Sequence, residues 1–166
     1  QIKSVNKIIA FEPQKKIFSL LKEKFSDNDK VVLNNFALSE KVEKRIMKIN
    51  KMTATSTLNH EINDDSLYFK FKSFLLYQKN SIVAEEEINT TSFDAFFNGK
   101  IFDKNTLLKI DTEGYEIHVL KGSTKKIKEI KYILIENQFS KMYKNVNFKD
   151  CHDFLGSKNF RLLKRF

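Results

Sequence analysis

Asp111-Thr112-Glu113-Gly114-Tyr115-Glu116 places three carboxylates within six residues, the densest run of chemistry-bearing side chains in the sequence. A carboxylate can take a proton from a weak nucleophile, hold a metal ion, or orient a hydroxyl by accepting its hydrogen bond. The run follows the strand-like Leu107-Leu108-Lys109-Ile110 and precedes a helical pattern. A capping role is therefore open as well, with Asp111 or Thr112 as N-cap and Glu113 and Glu116 in the first turn, where the helix dipole favours negative charge. Gly114 leaves room for a ligand or for a close helix–sheet approach. Glu12, Asn35 and Glu136 also close apolar runs. Ligands of open parallel sheets bind outside the carboxyl ends of the strands. An acid at such an end can accept hydrogen bonds from both hydroxyls of a ribose, each contributing roughly 1.5–3 kcal/mol. One polar strand end is most simply a turn former; three acidic ends together point to a site.

The elements that must position these residues are short. Lys7–Phe11 reads as a buried strand. Glu12-Pro13 ends it, and proline suits the first turn of a helix, whose apolar stripe is Ile17, Leu20, Leu21 and Phe25. Val31–Leu33, Leu107–Ile110 and Tyr132–Ile135 read as further buried strands. Extended segments are expected at Arg45–Ile49 and Ile82–Thr90, and a last strand near Phe160–Leu163. Short helices are expected at Ser92–Phe97, with Ser92 as N-cap, after Gly114 through Ile117, Val119 and Leu120, and at Phe148–Leu155. Residues 50–60 read as loop and 61–80 as ambiguous. Apolar strands alternating with helices predict an α/β domain over residues 1–166, built on a mostly parallel sheet with helices on both faces.

Composition narrows the function classes. The 166 residues are 41% hydrophobic and 31% charged, a globular balance. No apolar run approaches the ~20 residues of a membrane span. The net charge is +9, but arginine occurs only at 45, 161 and 165. Dedicated phosphate and base readers favour the arginine fork, so no nucleic-acid partner is expected. The lysine run 121–131 reads as a solvated helix face. Only four glycines are present, at 99, 114, 122 and 156, which excludes a G-x-G-x-x-G loop and a P-loop. One cysteine, Cys151, excludes an intrachain disulfide and fits a reducing compartment such as the cytoplasm; it reads as a core residue. No Cys/His cluster suits a structural zinc. His60 and His152 carry no partner at ligand spacing. His118, one turn above Gly114, has substrate contact only as its lesser reading. The aromatic group Tyr68, Phe69, Phe71 and Phe74 reads as core or lid.

Taken in order, Ile9-Ala10-Phe11-Glu12-Pro13, Asn35-Phe36-Ala37-Leu38-Ser39, Thr91-Ser92-Phe93-Asp94-Ala95-Phe96, Leu108-Lys109-Ile110-Asp111-Thr112-Glu113-Gly114-Tyr115-Glu116, Val119-Leu120-Lys121-Gly122 and Ile133-Leu134-Ile135-Glu136 resemble the FkbM-type methyltransferases. The resemblance covers nearly the whole chain from Lys7. It implies a class I (Rossmann-like) methyltransferase fold using S-adenosylmethionine, with O-methyl transfer to a hydroxyl of a sugar, glycan or related metabolite. It further implies that Glu12 holds the cofactor ribose, that Asn35 and the Ala37 backbone lie beside the adenine, and that Glu136 closes the site. Asp111, with Glu113 beside it, would face the methyl donor as the catalytic pair. Whether Asp111 acts as a base, a metal ligand or an orienting acceptor stays open. The family's first strand and its glycine loop precede the Phe-Glu-Pro strand, whereas only the glycine-free Gln1–Asn6 do so here. The expectation is an N-terminally incomplete domain, with the missing strand between those ending at Glu12 and Asp111, and weak or no cofactor binding by this stretch alone.

The alternative of a different class is a basic, non-enzymatic binding module on a decayed methyltransferase scaffold, motivated by the charge and the absent loop. A nicotinamide-dependent enzyme also places an acid at its second strand end, but the Lys-Ile-Asp-x-Glu-Gly element does not belong to that pattern.

Overall fold

The computed structural model of the chain describes residues 5–50, 82–136 and 147–165. Strand β1 (Ile8–Phe11) pairs in parallel with β2 (Val31–Asn34), Ile8 opposite Val31 and Phe11 opposite Asn34. The 10-residue helix α1 (Lys15–Lys24) makes the crossover that parallel strands require. Lys22 and Lys24 lie in its last turn, where the dipole favours cations. Its half-buried face carries Ile17, Phe18, Leu21 and Phe25, whereas Leu20 is 55% exposed. The predicted stripe is thus rotated by one position, because Phe18 competes for the sheet side.

Strands β3 (Ala37–Ser39), β4 (Glu43–Asn50) and β5 (Ile82–Ser92) form a second sheet with β5 in the middle, parallel to β3 and antiparallel to β4. Ser92 then caps a single-turn helix, α2 (Phe93–Phe96), by accepting the Ala95 N–H at 3.1 Å, as its sequence predicts. Strand β6 (Leu107–Ile110) pairs in parallel with β7 (Tyr132–Ile135), Ile110 opposite Ile135. Between them run helix α3 (Glu116–Lys121) and a 3-10 turn at Lys126–Glu129. Helix α4 (Phe148–Ser157) follows, with Asn147 accepting the Lys149 N–H as its cap.

The architecture is mixed α/β, and the parallel pairings are as expected. A mostly parallel sheet with helices on both faces is not clearly shown. Among the described residues the strands form three sheets, of two, three and two strands. Among the described residues β1 pairs with β2 alone and β6 with β7 alone, so the ladder is broken into halves. Side chains join what hydrogen bonds do not. Phe93, Phe97 and Ile130 form one buried cluster, and Ile9 and Phe11 of β1, Leu108 of β6 and Ile133 of β7 all pack against it. Because strand side chains alternate in direction, the opposite face presents Ile8, Leu107, Tyr132 and Leu134 as exposed residues.

A second cluster, including Met47, Ile88, Ile110, Val119, Leu120 and Cys151, lies under α3 and α4. Cys151 is a core residue, as expected. The strand expected near Phe160–Leu163 is absent. Asn159 turns into the left-handed region (φ +67°) and the Phe160 N–H returns to the Leu155 carbonyl at 3.0 Å. That folds Phe160 back onto the core and leaves Leu162 and Leu163 exposed. The expectations for residues 51–80, including His60 and the Tyr68–Phe74 aromatics, lie outside the described residues.

Candidate active site

The sequence-predicted site residues fall into two groups, each at the carboxyl end of a parallel strand pair. At the β1–β2 end, Glu12 follows β1 directly and its N–H continues the ladder to the Asn34 carbonyl at 2.9 Å. Its Oε1 accepts the Gln14 N–H at 2.8 Å, so a carboxylate does the capping that Gln14 itself does not supply to α1. Burial pushes the Glu12 carboxyl above the usual carboxylate range, the Gln14 N–H opposes this, and the Glu86 charge adds to it. Glu86 belongs to β5 and accepts the Lys15 N–H at 3.2 Å, which sets a second carboxylate at the start of α1. Asn35 spends its amide hydrogens on the chain, donating to the Glu12 carbonyl at 2.9 Å and the Pro13 carbonyl at 3.1 Å. It fixes the turn that carries Glu12 and has only its carbonyl oxygen left to offer a ligand. Ala37 is buried within β3, opposite Thr90.

At the β6–β7 end, Asp111 and Glu136 each stand one residue beyond the paired Ile110 and Ile135, and the Glu136 N–H donates to the Ile110 carbonyl at 3.0 Å. This register sets the two carboxyls side by side, close enough that each shifts the other. Two carboxyls so close resist ionising together. Lys109 decides which of them ionises. Its Nζ lies 2.6 Å from Asp111 Oδ2, so Asp111 is held below the usual carboxylate range by Glu136 and Lys109 together. Glu136 keeps the proton: its bond to Asp111, its partial burial and the charges of Asp111 and Glu113 push it up to about 7. Asp111 and Glu136 thus stand side by side, the charge of Glu113 reaches Glu136, and Glu136 is the one pushed toward neutrality.

The loop that presents Asp111 and Glu113 is strained and firmly held. Glu113 (φ +53°) and Gly114 (φ +90°) are consecutive left-handed residues, a conformation natural to glycine and costly for glutamate. Helix α3 starts only at Glu116, with Tyr115 in the cap position, so neither Asp111 nor Thr112 is the N-cap. Glu116 reaches back instead, its Oε1 accepting from the Thr112 N–H, the Thr112 hydroxyl and the Gly114 N–H at 3.0, 3.1 and 3.1 Å. Tyr115 pins the other side. Its hydroxyl accepts from Arg45 and shares a hydrogen bond with the buried Ser39 hydroxyl at 3.0 Å. His118 stacks on the Tyr115 ring at 4.3 Å and bonds Glu40 at 2.7 Å, so protein groups already engage both its face and its Nδ1.

Sequence reasoning missed Lys109, Glu86 and the Tyr115 anchor. Lys109 was legible, since residues i and i+2 of a strand share a face and a lysine two before Asp111 must stand beside it. Glu86 was not, because nothing local says that β5 passes the start of α1. No group of three or more His, Cys, Asp or Glu side chains among the described residues is placed to hold a metal ion. Among the described residues no helix is long and apolar enough to cross a membrane.

The family model described as the methyltransferase FkbM domain matches residues 2–162. No curated protein matches the chain. Among solved structures, a methyltransferase FkbM from Methylobacillus flagellatus KT superposes at a TM-score of 0.51 with 16% sequence identity, covering 92% of this chain and 30% of that one. The likeness is one of fold, and the chain spans about 30% of that protein's length.

Proposed function

The chain belongs to the FkbM methyltransferase domain family, and we propose that the protein bearing it transfers the methyl group of S-adenosylmethionine to a hydroxyl oxygen of a sugar, glycan or related metabolite. The observation that carries this reading is the carboxyl pair Asp111–Glu136, set side by side by the β6–β7 register, with Glu113 in the adjoining loop. A neutral hydroxyl is a poor nucleophile, and a carboxylate at hand to take its proton raises the rate by about 10²–10⁴. When bound, S-adenosylmethionine supplies a methyl group on a positively charged sulfur. The acceptor oxygen would take that methyl group, becoming a methyl ether and leaving an uncharged thioether, and would give up its proton to the carboxylates of this chain.

The chain's own residues fit such a cofactor. The carboxylates of Asp111 and Glu113 at the β6–β7 end present negative potential to a sulfonium, and Asp111, kept ionised beside Glu136 and Lys109, is the group assigned to receive the acceptor's proton. Glu136 orients the acceptor and passes the proton on. The Glu12 oxygen not bonded to Gln14 remains for ribose hydroxyls. Asn35 is better read as the brace of Glu12 than as an adenine donor, with Ala37 beside it. These two groups would share one ligand on a class I methyltransferase sheet. A reducing cytoplasm suits a chain whose single thiol is buried.

The test is isotope transfer from labelled S-adenosylmethionine to a panel of saccharide and glycan acceptors, using the protein with all residues encoded upstream of Gln1. Asp111→Asn should lower transfer by about 10²–10⁴. Unchanged transfer would remove Asp111 from the chemistry. Absence of any transfer, together with no binding of S-adenosylmethionine, would end the methyltransferase reading.

A further inference from the structure

We infer that Glu116 is a positioning residue, whose buried carboxylate templates the Asp111–Gly114 turn and thereby sets Asp111 against Glu136. The inference rests on the reading above that this pair is the reacting centre.

Glu116 is only 4% exposed. A carboxyl that deep must be hydrogen-bonded to be tolerated, and its three donors all come from the loop that precedes it. The donors flank the two left-handed residues, Glu113 and Gly114, of the turn. One oxygen gathers them and replaces an ordinary helix cap. Helix α4 packs on α3 through Cys151, whose thiol is pushed up to about 12 by burial first and then by the Glu116 and Asp150 charges. Tyr115, bonded to Ser39 and Arg45, fixes the neighbouring residue to β3 and β4. A loop tied at both points cannot slide, and Asp111 is its first residue.

The experiment follows the Glu136 carboxyl by carbon NMR across pH 4–9, with amide exchange at Thr112 and Gly114, in the parent, Glu116→Gln, Glu116→Leu and Glu116→Ala. Glutamine keeps the accepting oxygen, leucine fills the space without accepting, and alanine does neither. The leucine and alanine variants should speed exchange at both amides at least tenfold and lower the Glu136 midpoint by a unit or more as Asp111 moves away. Glutamine should keep exchange within about threefold and the midpoint in place. An unmoved midpoint in folded Glu116→Leu or Glu116→Ala overturns the inference, as does a glutamine variant that behaves like alanine. A parent midpoint at the ordinary glutamate value overturns it too. If neither variant folds, Thr112→Val removes one of the three donors and should move the midpoint the same way by a smaller step; no movement overturns the inference. None of these readouts needs S-adenosylmethionine, so a failure of the methyltransferase reading would show separately, as absent transfer with the Glu116 results intact.

Discussion

Glu136 sets a measurable pH dependence at the scale of a single residue. Its carboxyl rises from 4.5 to about 7 in the folded chain. Between those values the folded state holds a proton that the unfolded state has lost, so unfolding releases a proton and stability falls as pH rises. The contribution is fully present below about 4.5 and gone above about 7. Asp111 works the other way: held below its ordinary 3.8, it adds stability that is lost only as the solution becomes strongly acidic. The two windows do not overlap. Denaturant midpoints measured from pH 4.5 to 8 should therefore decline more steeply in the parent than in Glu136→Gln, whose amide donates to Asp111 at every pH. Equal slopes in the two proteins would show that Asp111 does not raise the Glu136 carboxyl. The residue scale is also where the sequence spoke least evenly. The acids Asp111 and Glu136 stand out in the sequence because each closes a strand-like run, and Glu113 because it lies two residues beyond Asp111. The role of Glu116 was not, because a carboxylate at the start of a helix looks the same whether it faces solvent or folds beneath its own loop.

Elements were more legible than residues, and the exceptions are informative. The strands from Ile8, Val31, Leu107 and Tyr132 lie where their unbroken apolar runs predict. Such runs announce burial, but they do not say which edge finds a partner. Gly122 shows a contact between elements that no local pattern reveals. It ends α3, and a Cβ there would collide with the Ser39 carbonyl of β3. Helix propensity alone favours Gly122→Ala by up to about 1 kcal/mol. The collision with backbone should reverse that sign, since overpacking costs about 1–3 kcal/mol and no flexible side chain is there to yield. The expected result is a net loss of stability by chemical denaturation, accompanied by faster amide exchange around Ser39 and Tyr115. An alanine variant as stable as the parent would mean that α3 can back away from β3 freely, and the Tyr115–Ser39 bond would then be no fixed anchor for the loop.

At the scale of the whole molecule, an aromatic cluster joins the β1–β2 and β6–β7 pairs, which share no ladder among the described residues. Phe97 is its hub: the ring lies 4.5 Å from Phe93, 4.8 Å from Phe96 and Phe102, and 6.3 Å from Phe11 of β1. Its burial is nearly complete, with 4% of its surface exposed. Removing a buried phenylalanine ring costs about 3–5 kcal/mol, the spread reflecting how far the neighbours can close the cavity. Here collapse is constrained on opposite sides, because Phe11 is tied to the β1–β2 ladder and Leu108 and Ile133 to β6–β7. Phe97→Ala should therefore do more than lower stability. Amide exchange should quicken in β1 and β2 together, as a unit loosened from β6 and β7, while the β4–β5 pair changes far less. Met47→Ala serves as the comparison, being an equally buried residue of the other cluster. It should cost about 2–5 kcal/mol and quicken β4 and β5 instead. If both variants raised exchange uniformly over the chain, the molecule would unfold as one unit and the aromatic cluster would be core like any other. If Phe97→Ala released β1 and β2 alone, Glu12 and Asp111 would be shown to owe their relative placement to packing, and any ligand bridging them should restore protection to both strand pairs at once.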